Sequence, residues 1–211
     1  MNPITRSLQE HYQQTFIKHG PNERGVDWGA KKDIVLRYRN MLSVILPGQQ
    51  SDVSLLDVGC GYGGLLEYID HSNFAETQIQ YTGIDVVSEM ITYARSHQKF
   101  DSGSFAVADI LSYNPADHFD YVVCNGILTQ KLQTSHLEME KYLKQIVEKM
   151  FALCRIGIAF NVMTTKVNFM APNLFYLNPV ELFAYCMNQF GGKVKVDHSY
   201  PLYEYTVYIY K

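Results

Sequence analysis

Leu55-Leu56-Asp57-Val58-Gly59-Cys60-Gly61-Tyr62-Gly63-Gly64 joins an apolar run to a carboxylate and then to four closely spaced glycines. Glycine has no β-carbon, so a turn built from it adopts dihedrals closed to other residues. A ligand can then approach the backbone and the N-terminus of the next helix. A second apolar run, Tyr81-Thr82-Gly83-Ile84, ends in Asp85, where a βαβ unit places the acid that hydrogen-bonds two ribose hydroxyls. Together the two signals read as a socket for a nucleoside cofactor.

The glycine spacing alone fits two cofactor classes. Gly59, Gly61 and Gly64 satisfy G-x-G-x-x-G, the dinucleotide fingerprint, while Gly59, Gly61 and Gly63 satisfy G-x-G-x-G. Asp57 separates them, because a carboxylate beside the turn repels a pyrophosphate and suits a ligand carrying an ammonium group there. The stretch resembles motif I of the class I S-adenosylmethionine-dependent methyltransferases. The resemblance continues through Asp85, Asp109 and Phe119-Asp120-Tyr121-Val122-Val123, and covers roughly residues 53 to 163.

Around that core, Asn2-Pro3 starts a helix whose Ile4, Leu8, Tyr12 and Phe16 form one apolar face, broken at His19-Gly20-Pro21. A second helix is expected from about Ala30 to Ile45, stopped by Pro47-Gly48 and turning Ile34, Leu36, Tyr38, Met41, Leu42 and Ile45 to the sheet. The polar loop between them carries the only tryptophan, Trp28. Strand and helix then alternate: strands at Val53 to Val58, 80 to 84, Ser104 to Val107, Tyr121 to Cys124 and Gly157 to Val162. The helices between them are expected near Tyr62 to His71, Ser88 to His97 and Leu137 to Leu153. Asn178-Pro179-Val180-Glu181 caps a last helix, which Gly191-Gly192 stops. Lys193 to Val196 and Leu202 to Tyr210 stand too close for a crossover helix and must pair as an antiparallel hairpin. The expected fold is therefore α/β, a Rossmann-like, mostly parallel sheet with an antiparallel C-terminal hairpin and an N-terminal helical cover. The family resemblance implies seven strands.

At 211 residues, 47% hydrophobic and 18% charged, the chain suits one globular domain. Its parts are a cover and lid over residues 1–50, a cofactor-binding core over 51–163, and a substrate loop, last helix and hairpin over 164–211. No apolar run reaches the ~20 residues of a membrane span, and the start lacks the order of a signal peptide, which predicts a cytoplasmic protein. Cys60, Cys124, Cys154 and Cys186 form no Cys-x-x-Cys pair, so neither a metal site nor a disulfide framework is indicated. The net charge of −3 argues against nucleic acid as a partner. It also hides seven basic residues against four acids in residues 1–50, a basic lid that could draw in an anionic substrate.

The resemblance implies S-adenosylmethionine as cofactor and assigns roles residue by residue. Asp57 meets the ammonium or sulfonium side; Gly59, Cys60 and Gly61 approach the amino acid and ribose; Asp85 holds the ribose hydroxyls. Asp109 accepts from the adenine amino group, with Ile110 supplying a backbone amide and Val86 packing on the ring. Asn125 and Gly126 follow the fourth strand, beneath the transferred methyl, and Asn125 departs from the D/N-P-P-Y pattern of enzymes that methylate DNA bases. For the cofactor's carboxylate, Arg24, Arg37 and Arg39 are available, with Arg39 preferred. The reaction is an in-line displacement that needs alignment, exclusion of water and, for a hydroxyl acceptor, a base. His19 and His136 are the candidate bases beside Asn125. Thr164 to Leu177 is expected to be a long specificity loop, Phe169, Phe175 and Tyr176 walling the pocket and Lys166 giving a positive contact. The acceptor expected is an oxygen or nitrogen of a small molecule, such as a sugar, sugar nucleotide or biosynthetic intermediate. The alternatives are an RNA or protein methyltransferase, an NAD-dependent oxidoreductase and a non-catalytic cofactor-binding subunit.

Overall fold

A computed structural model describes the chain except residues 30, 48–51, 72–77 and 98–102. Helix α1, Pro3–His19, is capped by Asn2, whose side chain accepts from the Ile4 amide. After α2 (Lys31–Leu42) the chain alternates: β1 (Val53–Val58), α3 (Gly64–His71), β2 (Ile79–Asp85), α4 (Ser88–His97), β3 (Gly103–Val107), β4 (Phe119–Cys124), α5 (His136–Leu153) and β5 (Cys154–Thr164). Then come a two-residue strand β6 (Tyr176–Leu177), α6 (Pro179–Phe190), β7 (Val194–Asp197) and β8 (Glu204–Tyr210). Ala30 and Gly48, the expected start and stop of the second helix, lie outside the described residues.

The sheet order is β3-β2-β1-β4-β5-β8-β7. The first five strands are parallel, and β8 enters antiparallel between β5 and its hairpin partner β7. The expected parallel core and terminal hairpin are present. The strand count is corrected from seven to eight, because Tyr176 and Leu177 pair in parallel with Met163 and Thr164 of a longer β5. Thr164 to Leu177 is therefore closed back onto the sheet rather than free.

The layers follow from the alternation of strand side chains. Leu56, Val58, Val122, Phe160 and Val207 face α5 and α6, while Leu55, Tyr121, Val123, Ala159 and Tyr208 face α2, α3 and α4. α5 starts with a capping box, Ser135 and Glu138 satisfying each other's backbone amides, and buries Met139, Leu143, Ile146, Val147 and Met150. α1 spans two groups: its Leu8 and Ile4 join the layer of α5, while its Phe16 and Tyr12 pack with Val87 and Met90 at the start of α4. No helix among the described residues is long and apolar enough to cross a membrane.

Candidate active site

The strand order reverses between β1 and β4, which opens a crevice at their carboxyl ends, the place where open α/β sheets take ligands. α1 crosses it. Thr5, Leu8 and Tyr12 of that helix, Val26 and Trp28 of the following segment, Tyr38 of α2 and Tyr142 of α5 roof a cleft whose floor is the Gly59–Gly61 turn and the ends of β2, β3 and β4. Its empty volume is about 940 Å³ including the open solvent at its mouth.

Gly59 and Gly61 have φ of 74° and 56°, in the left-handed region that favours glycine. The amides of Gly59 and Cys60 both donate to the Ile84 carbonyl, at 2.8 and 3.1 Å, which ties the turn to the end of β2. Asp85 sits at the junction. Its Oδ2 accepts from the Gly61 amide at 2.9 Å and its Oδ1 from the Val87 amide at 2.8 Å, which leaves the carboxylate some acceptor capacity for a ligand. Burial raises its carboxyl pKa, an effect opposed by the amides of Val87, Gly61 and Val86. Asp57 is 2% exposed and accepts from the Tyr81 hydroxyl at 2.7 Å. Burial pushes its pKa up to about 7, Tyr81 pulls it down and Asp85 adds to the rise. Such a carboxylate lacks a cation and gains from one. Asp109 caps the 3-10 turn Ile110–Ser112 through the Leu111 amide, at 3.0 Å to Oδ1.

At the β4 end, Asn125 is 8% exposed, lines the cleft, and has no hydrogen-bond partner for either Nδ2 or Oδ1. Next to it Gly126 has φ of 95° and donates its amide to Asn161 Oδ1 at 2.9 Å. A β-carbon there would lie 2.9 Å from Trp28 Nε1, so only glycine admits the indole.

Of the residues expected from the sequence, Asp57, Gly59, Cys60, Gly61, Asp85, Val86, Asp109, Ile110 and Asn125 converge on this cleft. Three do not. Arg39 is exposed in the last turn of α2, and two residues on an α-helix turn a side chain about 200°, so Arg37 faces inward where Arg39 faces out. His19 ends α1 away from the lining, and His136 holds the Tyr176 carbonyl at 2.8 Å and packs on Phe175. The expected specificity loop is corrected too: Phe175 and Tyr176 are buried beside β5, and Phe169 and Lys166 are exposed, none of them lining the cleft. Among the described lining residues three are carboxylates and none is Lys, Arg or His, so the basic excess of residues 1–50 does not reach the cleft. Tyr12 and Tyr142 were not anticipated there. Tyr12 was visible as part of the α1 stripe, but that stripe reads as core; the structure lays part of it over the crevice.

A family model described as "Methyltransferase domain" matches residues 49–204. "Putative methyltransferase Rv1506c" of Mycobacterium tuberculosis is 34% identical over 161 residues, 75% of this chain and 93% of that protein. Magnesium protoporphyrin IX methyltransferase from Synechocystis PCC 6803, solved with bound S-adenosylhomocysteine, superposes with a TM-score of 0.68 at 12% identity over 98% of this chain and 99% of that one. The DhpI-SAM-HEP complex gives 0.64 at 15% identity over 99% of both chains.

Proposed function

We propose that this chain, which belongs to the S-adenosylmethionine-dependent methyltransferases, methylates an oxygen or nitrogen of an uncharged small molecule held beside Asn125. The observation that carries this reading is the Asn125 amide, walled into the cleft with both polar atoms unpaired, since a buried amide without partners costs on the order of 1–3 kcal/mol unless a ligand or water supplies them. The cleft fits the cofactor: an uncompensated carboxylate at Asp57 for an ammonium group, acceptor capacity on Asp85 for ribose hydroxyls, Asp109 with its Oδ2 open for an amino group, and glycines where a side chain would intrude. Bound there, S-adenosylmethionine supplies a methyl carbon on a positively charged sulfur, open to attack by a lone pair.

The chain's own contribution is binding, orientation and exclusion of water. α1 and Trp28 close the cleft, and the Gly126 backbone fixes the indole against its far end. No lysine or histidine base stands among the described lining residues, which supports acceptors that lose their proton readily over aliphatic alcohols. The roofed cleft and its three acids speak for a small, uncharged acceptor over RNA, which asks for an open basic groove. A cytoplasmic setting belongs to the same reading.

Calorimetric titration with S-adenosylhomocysteine tests the cofactor half, and a transfer assay with a radiolabelled methyl donor against neutral, anionic and RNA acceptors tests the other. Methylation of RNA alone would overturn the small-molecule reading.

A further inference from the structure

Among the described residues, the buried side-chain nitrogen and oxygen atoms without a partner are Arg37 Nη1, Asn40 Nδ2, Asn161 Nδ2 and the two amide atoms of Asn125. They are not scattered. Arg37 and Asn40 are three apart on α2, hence on one face of that helix. Asn161 lies opposite Thr206 in the β5–β8 ladder, two residues from Glu204 and two from Tyr208 on the same face of the sheet. α2 is fastened over this face by two residue pairs: Arg37 to both oxygens of Glu204, at 2.9 to 3.0 Å, and the Tyr208 hydroxyl to the Asn40 carbonyl, at 2.9 Å. β4 and β5 pair through Cys124 and Phe160, so Asn125 and Asn161 are the next residues on the two strands' chains. Trp28 joins this cluster to the cleft: it lines the cleft, its indole meets Gly126, and the Arg37 guanidinium carbon lies 5.2 Å from its ring centre.

We propose that Arg37, Asn40 and Asn161 form an anchoring subsite for the methyl acceptor, reached when the Trp28 ring turns aside, and that it takes a neutral carbonyl oxygen on a flat, hydroxylated aromatic molecule. This rests on the methyltransferase reading above and names its substrate class.

The chemistry of the cluster selects that group. The unpaired atoms of Arg37, Asn40 and Asn161 are all N–H donors, because Asn161 Oδ1 already accepts from Gly126 and Glu204 is engaged by Arg37. Glu204 is 3% exposed and neutralises Arg37, so an incoming carboxylate or phosphate would place a second negative charge beside a buried one, without a free cation to offset it. A carbonyl oxygen accepts from such donors and brings no charge. Trp28, Tyr12 and Tyr38 offer ring surface to a planar body. A hydroxyl conjugated to a carbonyl is also the more acidic for it, which suits a cleft without a histidine or lysine base.

Trp28 is the chain's single tryptophan, so its indole N–H gives one NMR signal that reports on the subsite. Three matched probes decide the matter, each titrated into the full chain with and without saturating S-adenosylhomocysteine: 4-hydroxyacetophenone, 4-ethylphenol and 4-hydroxybenzoate. The expected result is that the ketone shifts the indole signal with an affinity at least about tenfold above the other two, the worth of about one good hydrogen bond. In Asn40→Leu the preference falls away while thermal stability is kept or raised, because that substitution removes an unpaired buried donor. A second variant, Arg37→Met/Glu204→Leu, removes the ion pair whole and loses the preference likewise. Equal affinities, a tighter benzoate, or a preference that survives both variants would show that the cluster holds ordered water only. If S-adenosylhomocysteine itself fails to bind, the functional reading falls, and the titrations of the ligand-free chain still judge the subsite.

Discussion

The two halves of the sheet's carboxyl edge are built differently. On the β1-β2-β3 side every acid is tied to its own scaffold: Asp57 to Tyr81, Asp85 to the amides of Gly61 and Val87, Asp109 to that of Leu111. On the β4-β5-β8 side, in α2 and at the strand ends it covers, lie all the buried unpaired side-chain atoms of the described residues. Buried polar groups are ordinarily satisfied, and departures mark places where something else completes the bonding. A half shaped in advance suits a ligand whose form never changes, the cofactor. A half left open in hydrogen bonds suits the partner that distinguishes one methyltransferase from another.

Breaking the open half at its one strong bond has the largest expected effect. Arg37→Met leaves Glu204 buried and unpaired, and should cost about 3–5 kcal/mol in urea unfolding; the double change with Glu204→Leu should recover most of that loss. Next comes the prebuilt half. Asp85→Ala removes the acceptor for two backbone amides and for a ribose, and should weaken S-adenosylhomocysteine binding by about a hundredfold, or ~2.7 kcal/mol, in calorimetry.

Asp57 gives a smaller, pH-dependent effect. Its pKa is about 7 in the folded chain against about 4 when unfolded, so the stability it lends is complete below about pH 4 and lost as the pH climbs to about 7. Melting curves between pH 5 and 8 should show that decline, which saturating S-adenosylhomocysteine flattens because its ammonium favours the ionised carboxyl, and which Asp57→Asn abolishes. The smallest change is expected at His136→Ala: about 1 kcal/mol of stability, from the lost bond to the Tyr176 carbonyl, with the methyl-transfer rate unaltered.

The same division decided what could be read from the sequence. The prebuilt half rests on local grammar: a strand, a glycine turn, a second strand and its terminal acid lie within 31 residues, Leu55 to Asp85, and each signal confirms the next. α6 was legible for the same reason, Asn178 capping Val180 and Gly191 ending the helix. The open half rests on contacts between distant residues. Arg37 and Glu204 are 167 positions apart, and nothing local pairs them. α2 ends at Leu42 rather than Ile45, its last turn tightening as the amides of Val44 and Ile45 bond three residues back, and Arg39, the arginine preferred from the sequence, faces solvent. The aromatic run after β5 resembled a loop because a two-residue strand leaves no periodic signature.

A crystal structure with S-adenosylhomocysteine bound tests the account most directly. It should place the ribose hydroxyls on Asp85, the ammonium toward Asp57 and the sulfur toward Asn125 beneath Trp28. Density for the ligand outside the cleft roofed by α1, or within it but turned so that the sulfur faces Asp109, would contradict it.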